Sequence, residues 1–394
     1  MEAIGIICEY NPLHTGHKKQ LDTIKATYPD ASIVCLMSGN YVQRGAPAVM
    51  DKSVRAKAAV LSGADLVLEL PLTASLSSAE GFAAEGVRIL GGFCNRLCFG
   101  TETGDKASLL ATARALLSPE FSEKLRAELD KGVSFPAARQ AALRAMGLQN
   151  DTLTHPNDIL ATEYCKAILQ QKLAMEPMPI VREGGYHDTA VDEENPSATA
   201  LRACMAEGRS WLRFVPEAAR PVFEIAAIHA LSAGEQAILY RLRTMTDKEF
   251  EALPYGSEGL WRKLMQNART YATLEEIITA TKSKRYTRTR LDRMVMCAFL
   301  GITQKDMDTP APYARVLAFN DKGRELLKVA RQTGLFPNAG EYMDSPYQDL
   351  ELRAGMVYSL FSIDASAPYR EEDRRVIYQN MPKDAGKPEF CTNA

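Results

Sequence analysis

The chain has 394 residues, more than one hydrophobic core usually serves, and its 46% hydrophobic and 24% charged make-up is that of an ordinary globular protein. Forty-seven basic against 49 acidic side chains give a formal charge of −2, which excludes a protein that coats nucleic acid indiscriminately but leaves room for a local basic patch. No apolar run approaches the ~20 residues of a membrane-spanning helix, and the short apolar run behind Glu2 lacks a leader's basic region and cleavage site, so a cytoplasmic protein is expected.

In chain order, strand-like apolar runs fall at Ile4 to Cys8, Ser32 to Met37, Leu66 to Leu70 and Arg96 to Phe99. Amphipathic stretches at His17 to Tyr28, Ser53 to Leu61 and Ala79 to Leu90 separate them. This β-α-β-α order predicts an α/β, Rossmann-like parallel sheet flanked by helices. Each run is followed by polar, turn-prone residues ("EYNPLHTGH", "SGNYVQRG", "ELPLTAS", "GTETGD"), and in an open parallel sheet those ends line one shared crevice. Helical periodicity follows from Gly104 to Leu148, then a helix starting at Asn157 or Asp158, a strand in "MPIVRE", and another helix start at Pro196 and Ser197. From about Trp211 strand signals fade. A catalytic domain over 1–215 and a mainly α-helical domain over 216–394, serving RNA binding, are therefore expected.

The eight cysteines, Cys391 among them, are too sparse for a disulfide scaffold and read as buried thiols. Cys94 and Cys98 lack the second pair that a structural zinc needs, so no protein metal site is assigned. "GTETGDKAS" lacks the Gly-Lys-Ser/Thr ending of a P-loop, and His155, His187 and His229 are dispersed, structural or exposed by default.

The chemistry concentrates in "NPLHTGH". His14 and His17 stand three apart at a strand-to-helix junction, where free amides and the positive end of a helix dipole favour phosphate. Gly16 removes a side chain from the path of a nucleotide. Two imidazoles on one turn donate hydrogen bonds to phosphate oxygens as charge accumulates, which is the stabilisation that nucleotidyl transfer needs. Arg44, in "YVQRG" at the end of the second strand, is placed for the crevice, whereas Lys52 and Arg55 share a helix face that reads as solvated or turned to phosphate or RNA.

His14-Thr15-Gly16-His17 resembles the HxGH signature of the nucleotidyltransferase superfamily shared with class I aminoacyl-tRNA synthetases. "CEYNPLHTGH", "SGNYVQRGAPAVMDKSVRAKAAVLSGADLVLELP", "FGTETGD", "HPNDILATEYCKAI", "NPSATALR", "KRYTRTRLDRM" and "YARVLAFNDKGRELL" together resemble one narrower family, the bacterial tRNA(Met) cytidine acetate ligases. The resemblance implies an HxGH-type Rossmann-like fold and an enzyme that converts acetate and ATP, with Mg²⁺, to acetyl-adenylate. It then acetylates N4 of the wobble cytidine of elongator tRNA(Met). It further implies ATP binding through Ile7, Cys8, Glu9, Tyr10, Asn11, Pro12, Leu13, His14, Thr15, Gly16, His17, Lys18, Lys19 and Gln20, and through Gly100, Asn157 and Arg182. "SATALR" is similar to the superfamily's second phosphate-binding signature, with Ser197, Thr199 and Arg202 as contacts and Ala198 and Ala200 as departures. The residues agree in kind. Gly100 ends a strand at the crevice; Asn157 offers an amide to a nucleotide or caps a helix; Arg182 suits a two-pronged phosphate contact or a surface ion pair.

"TKSKRYTRTRLDRM" sets Lys282, Lys284, Arg285, Arg288, Arg290 and Arg293 against one acid, Asp292. On a helix Tyr286, Arg290 and Arg293 would align, offering a basic face with an aromatic ring to RNA. Two other readings stay open: a small-molecule adenylyltransferase, and a non-catalytic RNA-binding protein on a degenerate nucleotide fold.

Overall fold

A computed structural model describes residues 2–148, 152–182, 196–337 and 345–380; His187 and Cys391 lie outside the described residues. Five parallel strands form the frame: β1 (Ala3–Cys8), β2 (Ser32–Ser38), β5 (Leu66–Leu70), β6 (Arg96–Thr101) and β7 (Glu176–Val181), with a small antiparallel hairpin, β3 (Tyr41–Val42) and β4 (Ala46–Pro47), after β2. β2 and β5 are buried along their whole length, as continuous apolar runs require when helices cover both faces of a sheet. One face packs Leu36, Leu68, Phe82, Val87, Leu97 and Tyr164; the other packs Ile4, Ile6, Ile33, Met37, Val60 and Phe223. Each such side chain contributes about 1.5–3 kcal/mol by leaving water. Six of the seven described cysteines are buried free thiols and Cys8 is half-buried. Among the described residues no helix is long and apolar enough to cross a membrane.

The expected boundary near Val215 does not separate the sheet from the second half of the chain. β8 (Val316–Phe319) pairs antiparallel with β5, and β9 (Ile377–Tyr378) pairs with β8, giving the order β7-β6-β1-β2-β5-β8-β9. The intervening chain is mainly helical and has its own core of Phe250, Leu264, Ile277, Met294 and Phe361. Tyr41 and Leu76 from the first half are buried in that same core, and Tyr41 Oη donates to the Ala354 carbonyl at 2.9 Å. The two units thus share apolar contacts across the hairpin.

Lys52 and Arg55 correct the sequence reading. Both lie on α2 (Lys52–Leu61) and both are buried, so theirs is neither a solvated face nor one turned to RNA. Arg55 donates to the carbonyls of Met50 (2.9 Å), Glu9 (2.6 Å) and Ser38 (3.1 Å), and also to that of Gly39, tying the carboxyl ends of β1 and β2 together. Lys52 Nζ lies 2.7 Å from both Glu69 oxygens and 2.8 Å from Glu371. Arg374 makes a two-pronged contact with Asp51 at 2.6 and 2.8 Å, which holds that carboxyl well below its ordinary range despite burial.

Candidate active site

Strand order reverses between β1 and β6, and a cavity of about 960 Å³ opens there at the carboxyl ends of the strands. Two helix N-termini contribute to its lining. The first belongs to α1 (Thr15–Thr27), which begins two residues before the expected His17 because the His14 side chain caps it. The second belongs to the helix Ala198–Ala206, where the Ser197 side chain accepts from the Ala200 amide at 3.0 Å. The positive ends of both helix dipoles favour an anion between them.

The three-residue spacing of the histidines has a structural cause. His14 Nδ1 accepts from Gly16 N at 3.1 Å, and His17 Nδ1 accepts from His14 N at 3.3 Å, so the pair forms a capping box in imidazole. An Nδ1 that accepts carries no proton, which assigns the hydrogen of each neutral ring to Nε2 as a donor. Both rings line the cavity, with centroids 3.8 Å apart. A Cβ on Gly16 would come within 3.0 Å of the His14 ring, so the glycine first of all lets that ring fold back over the helix end.

Burial keeps both rings uncharged. It lowers His14 from 6.5 to about 3, with Arg182 and Arg202 adding to the effect, and holds His17 well below its ordinary value, aided by His14 and Arg182. The unfolded chain therefore takes up protons that the folded chain refuses as pH falls from 6.5 toward 3. The stability these rings contribute is complete above 6.5 and declines below it. Thermal melts from pH 7.5 to pH 4.5 should show a midpoint falling with acid, and the fall should be shallower in a His14→Ala/His17→Ala double variant.

Around the rings the cations are braced. Arg202 donates to the Asn11 carbonyl at 2.6 Å and to Thr199 Oγ1 at 3.1 Å, linking the two capped segments. Arg182 donates to Asn157 Oδ1 at 3.3 Å, and Asn157 Nδ2 donates to Glu102 Oε1 at 2.7 Å. Asn157 is not an N-cap: His155 holds that position, and Asn157 sits in the first turn as a brace that aims Arg182. A Cβ on Gly100 would stand 2.9 Å from the Arg182 stem, so the space left by Gly100 holds that stem. Glu102, which also accepts from the Asp158 amide at 2.9 Å, went unnamed in the sequence reading, though "GTETGD" at a strand end carried its signal.

Ile7, Cys8, Glu9, Tyr10, Asn11, Lys19, Gln20, Gly100, Asn157, Arg182, Ser197, Thr199 and Arg202 all line the cavity beside the histidines and Gly16. Pro12, Leu13, Thr15 and Lys18 do not: Pro12 and Leu13 are buried, and Lys18 pairs with Asp22. The hairpin, expected at the crevice through "SGNYVQRG" and Arg44, forms part of the wall; the segment Ile228 to Leu231 and Ile363, which join it, carried no local signal in the sequence. His229, expected to be structural or exposed, is buried and stacked 4.1 Å from Tyr358 at the cavity wall.

The basic stretch differs from its expectation. The helix there is Arg288–Leu300, so Tyr286 precedes it; Arg290 still stacks over the Tyr286 ring at 4.8 Å, but the buried Arg293 does not share an exposed face with them. Arg293 is buried, Arg290 donates to the Tyr255 carbonyl at 2.7 Å, Arg288 pairs with Glu275 at 2.6 Å, and Arg285 pairs with Glu258 at 3.1 Å. Lys282 and Lys284 are exposed.

An HxGH turn on β1, a second capped helix and two braced arginines at the sheet's switch point define a nucleotidyltransferase-type site. In accord, the family model described as HIGH Nucleotidyl Transferase matches residues 1–373. tRNA(Met) cytidine acetate ligase of Clostridium acetobutylicum is 34% identical over 403 residues, covering 96% of this chain and all of that protein. The enzyme of the same name from Acetivibrio thermocellus is 35% identical over 362 residues, 86% of this chain and 87% of its own. Two crystal structures of Thermotoga maritima TmcAL, apo and bound with alpha-thio ATP, superpose with TM-scores of 0.88 and 0.85 at 29% identity, covering 97% of this chain. The chain belongs to the tRNA(Met) cytidine acetate ligase family.

Proposed function

We propose that this chain is an ATP-dependent ligase that joins acetate to N4 of the wobble cytidine of elongator tRNA(Met). The observation that carries the reading is the imidazole capping box, which leaves two neutral Nε2–H donors beside two helix N-termini and two arginines. An acetate oxygen attacks the α-phosphorus of ATP and pyrophosphate leaves. The pentavalent phosphorus carries extra negative charge, which His14, His17, Arg182 and Arg202 meet with fixed donors. No protein nucleophile is needed. The acetyl-adenylate so formed then presents its carbonyl to the cytidine amine while the cavity excludes water.

Mg²⁺ enters as part of MgATP. Among the described residues no group of three or more His, Cys, Asp and Glu side chains is arranged to hold a metal. When bound, it neutralises phosphate charge. Lys282, Lys284 and the outer arginines Arg285 and Arg288 are the tRNA contacts we propose, working through the phosphate backbone. Arg290 and Arg293 hold their own fold.

Incubation with labelled acetate, ATP and bulk tRNA, followed by digestion to nucleosides, should place label in N4-acetylcytidine. ATP turnover with unlabelled RNA would instead favour a small-molecule adenylyltransferase, and RNA binding alone a scaffold.

A further inference from the structure

The cavity is lined by two walls on either side of β1. On the β6 side stand the helix N-termini, Arg182 and Arg202, which suit a triphosphate, together with the apolar Phe99, Leu160, Tyr164 and Ile180. On the β2 side Val42, Pro47 and Val49 line the wall with Ile228 and Ile363, beside Gln43, Arg44 and His229. At about 960 Å³ the space lies near the upper end of the ~300–1,000 Å³ usual for small-ligand sites. Arg44, exposed at the hairpin turn, stands at its edge.

Between the two walls sits Glu9. Among the described residues it is one of two lining carboxylates, and the other, Asp22, is paired with Lys18. A carboxylate is a poor neighbour for triphosphate, because like charges repel. Its placement is nevertheless firm. The Glu9 carbonyl accepts from Arg55 at 2.6 Å, and Glu9 Oε1 accepts from the Gln43 amide of the hairpin at 2.9 Å. Oε2 is the second acceptor of this cavity-lining side chain. The hairpin in turn rests on the helix that ends the basic stretch. A Cβ on Gly45, whose φ is +78°, would lie 2.3 Å from Arg293 N, and Arg293 Nη1 donates to the Gln43 carbonyl at 3.4 Å.

We infer that the target cytosine occupies the β2 side of the cavity, splayed from its strand, with Glu9 as the catalytic residue that receives its amine proton. This rests on the ligase reading above. The exocyclic amine is the donor that a glutamate reads on cytosine, and a base undergoing chemistry is taken out of its stack into an apolar slot. N4 attacks the acetyl carbonyl carbon, the bond from that carbon to the phosphate oxygen breaks, and AMP departs with the electron pair. One N4 proton passes to Glu9 Oε2, the other stays on the amide nitrogen.

The test is Glu9→Gln, whose side-chain oxygen still accepts from the Gln43 amide. Two rates are measured on the full chain: acetate-dependent ATP–pyrophosphate exchange without RNA, and single-turnover transfer to tRNA(Met) from synthetic acetyl-adenylate. Transfer should fall about 10²-fold, the size of general-base effects, and at least about tenfold more than exchange. Glu9→Asp, which keeps the charge, should recover part of the transfer rate. A parallel fall of both rates in Glu9→Gln would put Glu9 on the ATP side, and undiminished transfer would remove it from the chemistry; either overturns the inference. Absence of exchange in the wild-type chain would defeat the ligase reading itself, a result distinct from both.

Discussion

Replacing His14 or His17 by alanine is expected to lower acetate-dependent ATP–pyrophosphate exchange by about 10²–10³-fold, the usual cost of removing one preorganised donor to a developing anion. Each substitution deletes an Nε2–H donor, and each also removes half of the cap on α1, because Nδ1 of the same ring accepts a backbone amide. The two losses are separable. A missing cap costs about 1 kcal/mol of stability, and Asn is among the best N-cap residues. His14→Asn should therefore regain most of the thermal stability lost in His14→Ala without regaining the exchange rate. Exchange rates left intact in both alanine variants would remove the pair from the chemistry.

The second large effect is on stability. Lys52→Ala would leave Glu69 and Glu371 facing one another with their shared cation gone, both within a largely buried cluster. Breaking such an arrangement from one side costs about 3–5 kcal/mol, because the remaining charge stays desolvated. Urea unfolding should shift its midpoint down accordingly. Limited proteolysis should reach the segment around Arg370 to Arg374 sooner, since Lys52 holds it through Glu371 and Asp51 holds it through Arg374. Lys52→Met, equal in length but uncharged, should be nearly as damaging. A midpoint unchanged in both variants would show that the cluster adds nothing to the fold.

Much of the sheet could be read directly. The runs at Leu66 to Leu70 and Ala79 to Leu90 match their elements at both ends, because continuous apolar strands and a capped amphipathic helix each carry an unambiguous period. β8 escaped notice because four apolar residues amid helical neighbours carry no period, and only the open edge of β5 makes them a strand. Lys52 and Arg55 were misplaced for a related reason. A cation at helical spacing looks the same whether it meets water or, as here, a carboxylate or carbonyls far along the chain. At the site, the motif residues follow from type and spacing, and "SGNYVQRG" and "GTETGD" mark the strand ends that hold the hairpin and Glu102, whereas the segment Ile228 to Leu231 and Ile363 come from chain-distant contacts that no local pattern encodes. The brace from Glu102 through Asn157 to Arg182 takes the place of a helix cap at Asn157, whose side chain also lines the cavity.

Closure of the sheet by β8 and β9 bears on how the molecule is made. While a ribosome is still threading out the helical middle, β5 has been synthesised but its neighbour at Val316 to Phe319 has not, so an adhesive backbone rim stands open in the nascent polypeptide. Translation must pass Tyr378 before the last strand can dock. Because the segment Ile228 to Leu231 and Ile363 line the cavity, its wall is completed late, and a shortened product ending near residue 215 would carry the catalytic motif in a sheet whose β5 edge stays open to association.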